Sequence, residues 1–305
     1  MKKTFYSNGK LLLTGEYLVL DGATALSLPT KYGQDLVVEA GSGNQIRWKS
    51  IDADGTVWFE DNISFEAISK KDYVQQSDNI KNTLIEILHE AYLANPSYID
   101  ESDGYLITTN LTFPKYWGLG TSSTLINNIA QWLHIDAFEL LRNSFGGSGY
   151  DIASAQHNTP ILYRLENERP VISPVIYKPG FAMHMYFVYL NKKQSSKGAI
   201  ASYYQNKPVN ISKVVGALDN ITAAILDADE LSTFAEEIQK HENIISDILE
   251  METVGEAFFP DFNGVIKSLG GWGGDFILAV TRENPKRYFN NRGFQTVIPF
   301  HDMIL

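Results

Sequence analysis

An α+β fold in two halves is predicted by three features of this 305-residue chain. Its first third is a succession of short strand-like segments, and the remainder mixes amphipathic helices with separate strands. Its length allows one large domain or two that pack together, and two is the working count. The halves are expected at residues 1–178 and 179–305, divided where the composition shifts near Tyr177–Gly180.

The elements follow in order. "KLLLTGEYLVL", "ALSLP", "DLVVEA", "QIRWKSI" and "TVWFED" are apolar, β-branched or aromatic and are separated by Gly, Asn and Asp turns, which reads as an antiparallel sheet. "IKNTLIEILHEAYLA" places Leu84, Ile87, Leu88 and Tyr92 at helical intervals and stops before Asn95-Pro96. "GYLITTNLTFP" returns to strand, "TLINNIAQWLHI" is a buried helix with a polar start, and "GFAMHMYFVYL" is a later strand. "LSTFAEEIQKHENIISDIL" spaces Leu231, Phe234, Ile238, His241, Ile245 and Ile248 by three and four, one face of an amphipathic helix. His241 lies on that stripe and reads as a packing residue.

Composition narrows the function. Twenty-five Lys and Arg against 36 Asp and Glu give a formal charge of −11, and no basic run is present, which argues against nucleic acid as a partner. The absence of cysteine excludes disulfides, thiolate nucleophiles and Cys-ligated zinc, and fits a reducing cytosol. Asn8, Gly9, Lys10 and Glu16 interrupt any signal-peptide core, and no apolar run is long enough to span a bilayer. The expectation is a cytoplasmic protein with a small-molecule substrate and no membrane partner, monomeric or homodimeric.

Three segments carry possible chemistry. In "PKYWGLGTSSTLINNIAQ", Gly118 and Gly120 let backbone N–H groups approach an anion, and the following helix adds its positive end. Thr121, Ser122 and Ser123 supply hydroxyls that either cap that helix or ligate magnesium. In "NSFGGSGYDIASAQ", Asp151 follows a glycine-rich turn; it either caps a helix or orients and deprotonates an acceptor hydroxyl. In "IKSLGGWGGDFILAV", Gly270, Gly271, Gly273 and Gly274 form a close-approach loop or a plain hairpin turn. Neither a Walker loop nor a dinucleotide GxGxxG is present, and the six histidines have no HExxH spacing.

Taken in order, "NGKLLLTGEYLVLDGATAL", "PKYWGLGTSS", "GSGYDIASA" and "IKSLGGWGGD" resemble the GHMP kinase superfamily over nearly the whole chain. "GYDIA" resembles the branch known by that pentapeptide, and the motifs are most similar to those of phosphomevalonate and mevalonate kinases. The resemblance implies a two-domain fold, an N-terminal mixed sheet with helices followed by a C-terminal ferredoxin-like α/β sandwich. It implies ATP and Mg²⁺ as cofactors and transfer of the γ-phosphoryl group to a mevalonate-type acceptor, phosphomevalonate first.

Residue by residue, Lys10 matches the lysine near the acceptor and Asp151 the catalytic aspartate, the two paired across the site. Lys115, Gly118, Leu119, Gly120, Thr121, Ser122 and Ser123 match the ATP loop. Ser122 or Ser123 is the implied magnesium ligand, joined by Glu139, the acidic residue near the position of the family's second metal carboxylate. Substrate contacts are implied for Glu16, Ser148, Gly149, Lys193, Ser195, Ser196, Gly271 and Gly273, with Glu16 mainly a structural brace. The basic segment "LNKKQSSKGAI" adds Lys192 and Lys197; Lys31 and Arg47 are further cations for an anionic acceptor.

The chain departs from the pattern in three places. The loop reads Gly-Thr-Ser-Ser where the family has Gly-Ser-Ser-Ala, the stretch from Ser123 to Asp151 is short, and Trp272 stands in a loop otherwise made of small residues. Trp272 would narrow the site or stack on a ligand. The rival readings are a mevalonate or sugar kinase, a diphosphomevalonate-type decarboxylase, and a nucleotide-binding protein of this fold without turnover.

Overall fold

The structure, a computed structural model, describes residues 2–72, 79–192, 201 and 203–305. It contains two compact units: residues 1–9, 32–115 and 120–156 form the first, and 10–31, 116–119 and 157–305 the second. Strands β1 (Lys3–Leu12) and β2 (Ala25–Ala40) each contribute to both.

Unit 1 is built on β3 (Gln45–Ile51), β4 (Val57–Ser64), β5 (Tyr105–Leu111) and the second half of β2, in the order β4-β3-β5-β2. β3 and β4 form the hairpin that their alternation predicts: Ile46, Trp48 and Ser50 are buried while Arg47 and Lys49 face outward. β3 and β5, however, run parallel, so the sheet is mixed rather than the antiparallel one read from the strand run. The long segment between them supplies the crossover, including the helix Ile80–Ala94. That helix starts on an Asn79 cap and buries Leu84, Ile85, Ile87, Leu88 and Ala91. With the helices Thr121–Leu133 and Ala137–Ser144 it covers Leu36, Trp48, Ile63 and Ile107 in one apolar core. Each such aliphatic side chain contributes about 1.5–3 kcal/mol by burial.

"ALSLP" and "DLVVEA" are one strand, not two. The glycine between them, Gly33, continues β2 because the space a Cβ would need is taken by the Ser7 carbonyl oxygen at 2.3 Å. The first strand, by contrast, stops early. It ends at Leu12, and Gly15 and Tyr17 turn the chain with positive φ (88° and 62°) into a short 3₁₀ turn at Leu18–Asp21. A side chain at Gly15 would meet the Ala25 Cα at 2.7 Å, so the turn packs too closely for a continued strand.

Unit 2 holds a four-stranded antiparallel sheet in the order β11 (Val297–Pro299), β8 (Met185–Tyr189), β10 (Phe276–Val280), β9 (Val265–Leu269). All five residues of β10 are buried, as suits a central strand covered on both faces. The helix Leu231–Leu249 packs against β9 and against the helix Ile211–Asp227, and it buries the expected stripe Phe234, Ile238, His241, Ile245 and Ile248. A hairpin of β6 (Ile161–Glu166) and β7 (Arg169–Pro174) pairs with the first residues of β2. The strand expected over 180–190 shortens to β8, preceded by a 3₁₀ turn at Ala182–His184.

Candidate active site

Unit 2 brings together Lys10 of the opening motif, Gly118 and Leu119 of the "PKYWGLGTSS" loop, and the third motif, "IKSLGGWGGD". Lys10, only 8% exposed, donates its backbone N–H to the carbonyl of Leu119 at 3.1 Å. The neighbouring Gly118 has φ +69°, and the place of its missing side chain is filled by the Asp275 carboxyl group, 2.5 Å from an ideal Cβ. Only glycine satisfies both conditions. Asp275 in turn donates its N–H to the Lys192 carbonyl at 2.7 Å, which seats the start of the basic segment beside the third motif. Lys193, Ser195, Ser196 and Lys197 lie outside the described residues.

In the third motif Gly270 and Gly273 have positive φ, and Gly271 accepts a backbone bond from Gly274 at 3.1 Å. Trp272 does not stand open to a ligand. Its backbone N–H donates to the Tyr17 hydroxyl and its indole N–H to the Glu252 carbonyl, each at 3.1 Å, and the residue is buried. The tryptophan anchors the loop to the turn after β1, which explains how a large residue fits among glycines.

Glu16 leads away from solvent into a buried charge cluster. Its Oε1 accepts from Lys267 Nζ at 2.6 Å, and its Oε2 stands 3.3 Å from His241 Nε2. Lys267 also lies 3.8 Å from Glu242 Oε2, while Glu242 Oε1 accepts from the N–H and hydroxyl of Ser268. Burial pushes the Glu16 carboxyl up to about 7, partly offset by Lys267. Burial likewise raises Glu242, and it lowers His241 well below 6.5 with the help of Lys267. Raised carboxyls stabilise the fold fully below their ordinary value near 4.5 and lose that contribution as pH rises through the folded value. The lowered His241 works in the opposite sense, losing its contribution as pH falls below 6.5. The two slopes oppose each other in mild acid, so the melting temperature is expected to fall as pH rises above 6.5 through the folded Glu16 value and then level. Calorimetry over that range checks it, and a rise there contradicts it.

In unit 1 the second half of the Gly118–Gly120 loop opens α4, the helix Thr121–Leu133. Its N-cap is Gly120 with φ +91°, and no side chain caps it. Thr121, Ser122 and Ser123 therefore do not serve as the cap, and a 13-residue helix presents its first N–H groups without one. A buried polar seam fixes this helix: Thr124 donates to Gln34 Oε1 at 2.7 Å, Asn128 to the Gln34 carbonyl at 2.9 Å, and Ser7 to Asn128 Oδ1 at 2.7 Å. Gln156 donates to Asn127 Oδ1 at 3.0 Å, tying the end of α6 (Tyr150–Ala155) to α4.

Asp151 lies half-buried in the first turn of α6, whose N-cap is Gly149 with φ +87°; Ser148 precedes it. The aspartate is thus not the cap. Glu139 is exposed in the first turn of α5 (Ala137–Ser144), beyond the far end of α4 from Ser122 and Ser123. That separation along α4 is about 15 Å at 1.5 Å per residue. Lys115 holds its Nζ 5.4 Å from the centroid of the Trp58 ring and donates its N–H to Asp52 Oδ1 at 3.0 Å. Lys31 donates to the His301 carbonyl at 2.5 Å, and Arg47 lies on the outward sheet face of unit 1. No group of three His, Asp or Glu side chains suited to a metal occurs among the described residues.

Lys267 and Glu242 were not singled out by the motifs. The signals were a lysine inside the apolar strand "VIKSL" and a glutamate beside a histidine on a buried helix stripe. If the loop takes ATP as the motifs imply, Gly118→Ala weakens its binding at least about tenfold, because the new methyl must displace the Asp275 carboxyl and φ is unfavourable. A nucleotide titration that leaves Kd unchanged removes Gly118 from the ATP loop.

Solved structures share the fold of this chain. Mevalonate kinase of Methanococcus jannaschii superposes with TM-score 0.67 at 14% identity, covering 97% of this chain and 96% of that one. Phosphomevalonate kinase of Streptococcus pneumoniae, in complex with phosphomevalonate and AMPPNP, gives 0.68 at 15% identity and 95% of each chain. Galactokinase of Lactococcus lactis with galactose gives 0.68 at 13% identity, over 98% and 94%. The chain has the GHMP kinase fold.

The GHMP kinases matched are phosphotransferases, and their likeness to this chain extends over both units. No protein-family model matches the sequence, and no curated protein does. At 13–17% identity the GHMP fold is retained while the side chains around it have largely changed.

Proposed function

We propose that the chain is an ATP- and magnesium-dependent kinase that transfers the γ-phosphoryl group to phosphomevalonate or a closely similar acceptor. The observation that carries this reading is the meeting of Lys10, Leu119, Gly118 and Asp275. Residues of three motifs far apart in sequence converge there on one glycine loop.

Each part has a physical task. The loop glycines and the uncapped start of α4 offer backbone N–H groups to phosphate oxygens. Bound ATP with Mg²⁺ supplies the phosphoryl group and neutralises its charge. Magnesium would be held by the Ser122 or Ser123 hydroxyl together with phosphate oxygens and water, a fit for an ion that tolerates few protein ligands. Lys10 lowers the energy of the charge developing on the acceptor oxygen. Asp151 accepts the proton if the acceptor is a hydroxyl, and positions the substrate if it is already a phosphate. Lys192, Lys193, Ser195 and Ser196 are proposed to hold the anionic end of the acceptor, with Ser148, Gly149, Gly271 and Gly273 shaping its pocket. Glu16 is proposed as a brace rather than a contact. We assign the motifs to halves at 1–178 and 179–305, and the protein to the cytoplasm; no helix among the described residues is long and apolar enough to cross a membrane.

The test is kcat/KM for mevalonate, phosphomevalonate, diphosphomevalonate, homoserine and several sugars, with products identified by mass. A single preference for phosphomevalonate is expected. Preference for mevalonate or a sugar moves the acceptor assignment, release of carbon dioxide indicates a decarboxylase, and ATP binding with no turnover favours the non-catalytic reading.

A further inference from the structure

Unit 2 buries four titratable side chains that the transfer step does not require: Glu16 after β1, His241 and Glu242 on the helix Leu231–Leu249, and Lys267 on β9. His241 and Glu242 are 0% exposed and Lys267 is 1%. The hydrogen positions follow from the geometry. Gly15 donates its backbone N–H to His241 Nε2 at 3.0 Å, so that nitrogen presents a lone pair and the ring proton resides on Nδ1. Glu16 Oε2 stands 3.3 Å from the same nitrogen. An ionised oxygen and a lone pair repel at that distance; a proton on Glu16 Oε2 removes the repulsion, sharing with the Gly15 N–H the one lone pair of Nε2.

Charge counting leads to the same place. Lys267 gives hydrogens to Glu16 Oε1 at 2.6 Å and to the Ser268 carbonyl at 3.0 Å, and faces Glu242 at 3.8 Å. One lysine thus serves two carboxyl groups. The further side chains facing the cluster are Ser268 of β9 and Tyr17 of the turn, both uncharged. Were both carboxyls ionised, the quartet would hold a net negative charge in the protein interior, which burial opposes strongly.

We infer that the quartet carries one additional proton in mild acid, bound to Glu16 Oε2 and facing His241 Nε2 beside the Gly15 N–H, and that it locks the Gly15–Glu16 turn onto β9. The lock has a functional direction. β1 carries Lys10, and β9 runs into the Gly270–Asp275 loop whose aspartate fills the place beside Gly118. Glu16, His241 and Lys267 are therefore positioning residues that set the spacing between Lys10 and the glycine loops. This last step rests on the kinase reading; the proton itself does not.

Glu16→Gln tests the proton, because the amide keeps an oxygen for Lys267 and offers an N–H to His241 with nothing to ionise. The variant is expected to melt within a few degrees of the native chain near pH 6.5 and to lack the native fall as pH rises above that. A loss of about 10 °C or more at every pH shows that the charge of Glu16, not its proton, holds the turn, and overturns the inference. If that variant does not fold, infrared difference spectra of the native chain decide. The native chain is expected to show a protonated-carboxyl stretch that disappears as pH rises through about 7; a native spectrum without it overturns the inference. The positioning role is read from kcat against pH. The native alkaline limb near 7 should be missing in Glu16→Gln, and a limb retained there overturns that role. No turnover by either protein, with the melting and infrared results as expected, counts against the kinase reading and leaves the proton in place.

Discussion

Replacing Asp151 by asparagine is expected to lower kcat by about 10²–10⁴-fold while the Kd for ATP changes little. The helix that carries it is capped by Gly149 and tied to α4 through Gln156, so removal of the carboxylate leaves the scaffold in place. A half-buried first-turn aspartate contributes only about 0.3–1 kcal/mol to its helix. The loss should therefore appear in turnover and not in the melting temperature. Steady-state kinetics and an ATP titration on the same preparation check it, and a native kcat removes Asp151 from the transfer step.

Lys267→Met is expected to destabilise the chain by about 3–5 kcal/mol, the cost of leaving buried carboxyls without their cation. Methionine nearly conserves the volume, so little of the loss is a cavity. Glu16 loses its 2.6 Å donor, and Glu242 keeps only Ser268. Urea unfolding should show a lower midpoint with an unchanged slope. An unchanged midpoint would mean that the carboxyls take up protons at no cost, and the cluster would then not brace the turn.

Much of this architecture was legible in residue spacing. The stripe from Phe234 to Ile248 and the run from Leu84 to Leu88 each repeat at three and four, and both are buried helix faces. Strand ends were harder to read. A glycine signals either a turn or a close approach: Gly33 continues a strand because the Ser7 carbonyl occupies its side-chain space, while Gly15 ends one against Ala25. The choice is made by residues distant in sequence, and periodicity is blind to it. Parallel pairing of β3 with β5 is hidden for the same reason.

The candidate site divides along similar lines. Glycine loops at Gly118–Gly120 and Gly270–Gly274 announced themselves by composition. The partner of Glu16 did not, since Lys267 stands 251 residues away. Trp272 looked like an intruder in a glycine loop, and its two hydrogen bonds, to Tyr17 and Glu252, show it to be an anchor. Glu139 was chosen by chain position, whereas α4 extends between it and the hydroxyls it was matched with.

The most direct test of the central claim is to follow ADP and phosphorylated product together in the presence of magnesium, ATP and phosphomevalonate, for the native chain and for Lys10→Met. One ADP per diphosphorylated product is predicted for the native chain, with a rate at least about a hundredfold lower in the variant. ADP released without phosphorylated product, or equal rates in the two proteins, would contradict a transfer centre built on Lys10 and the Gly118 loop.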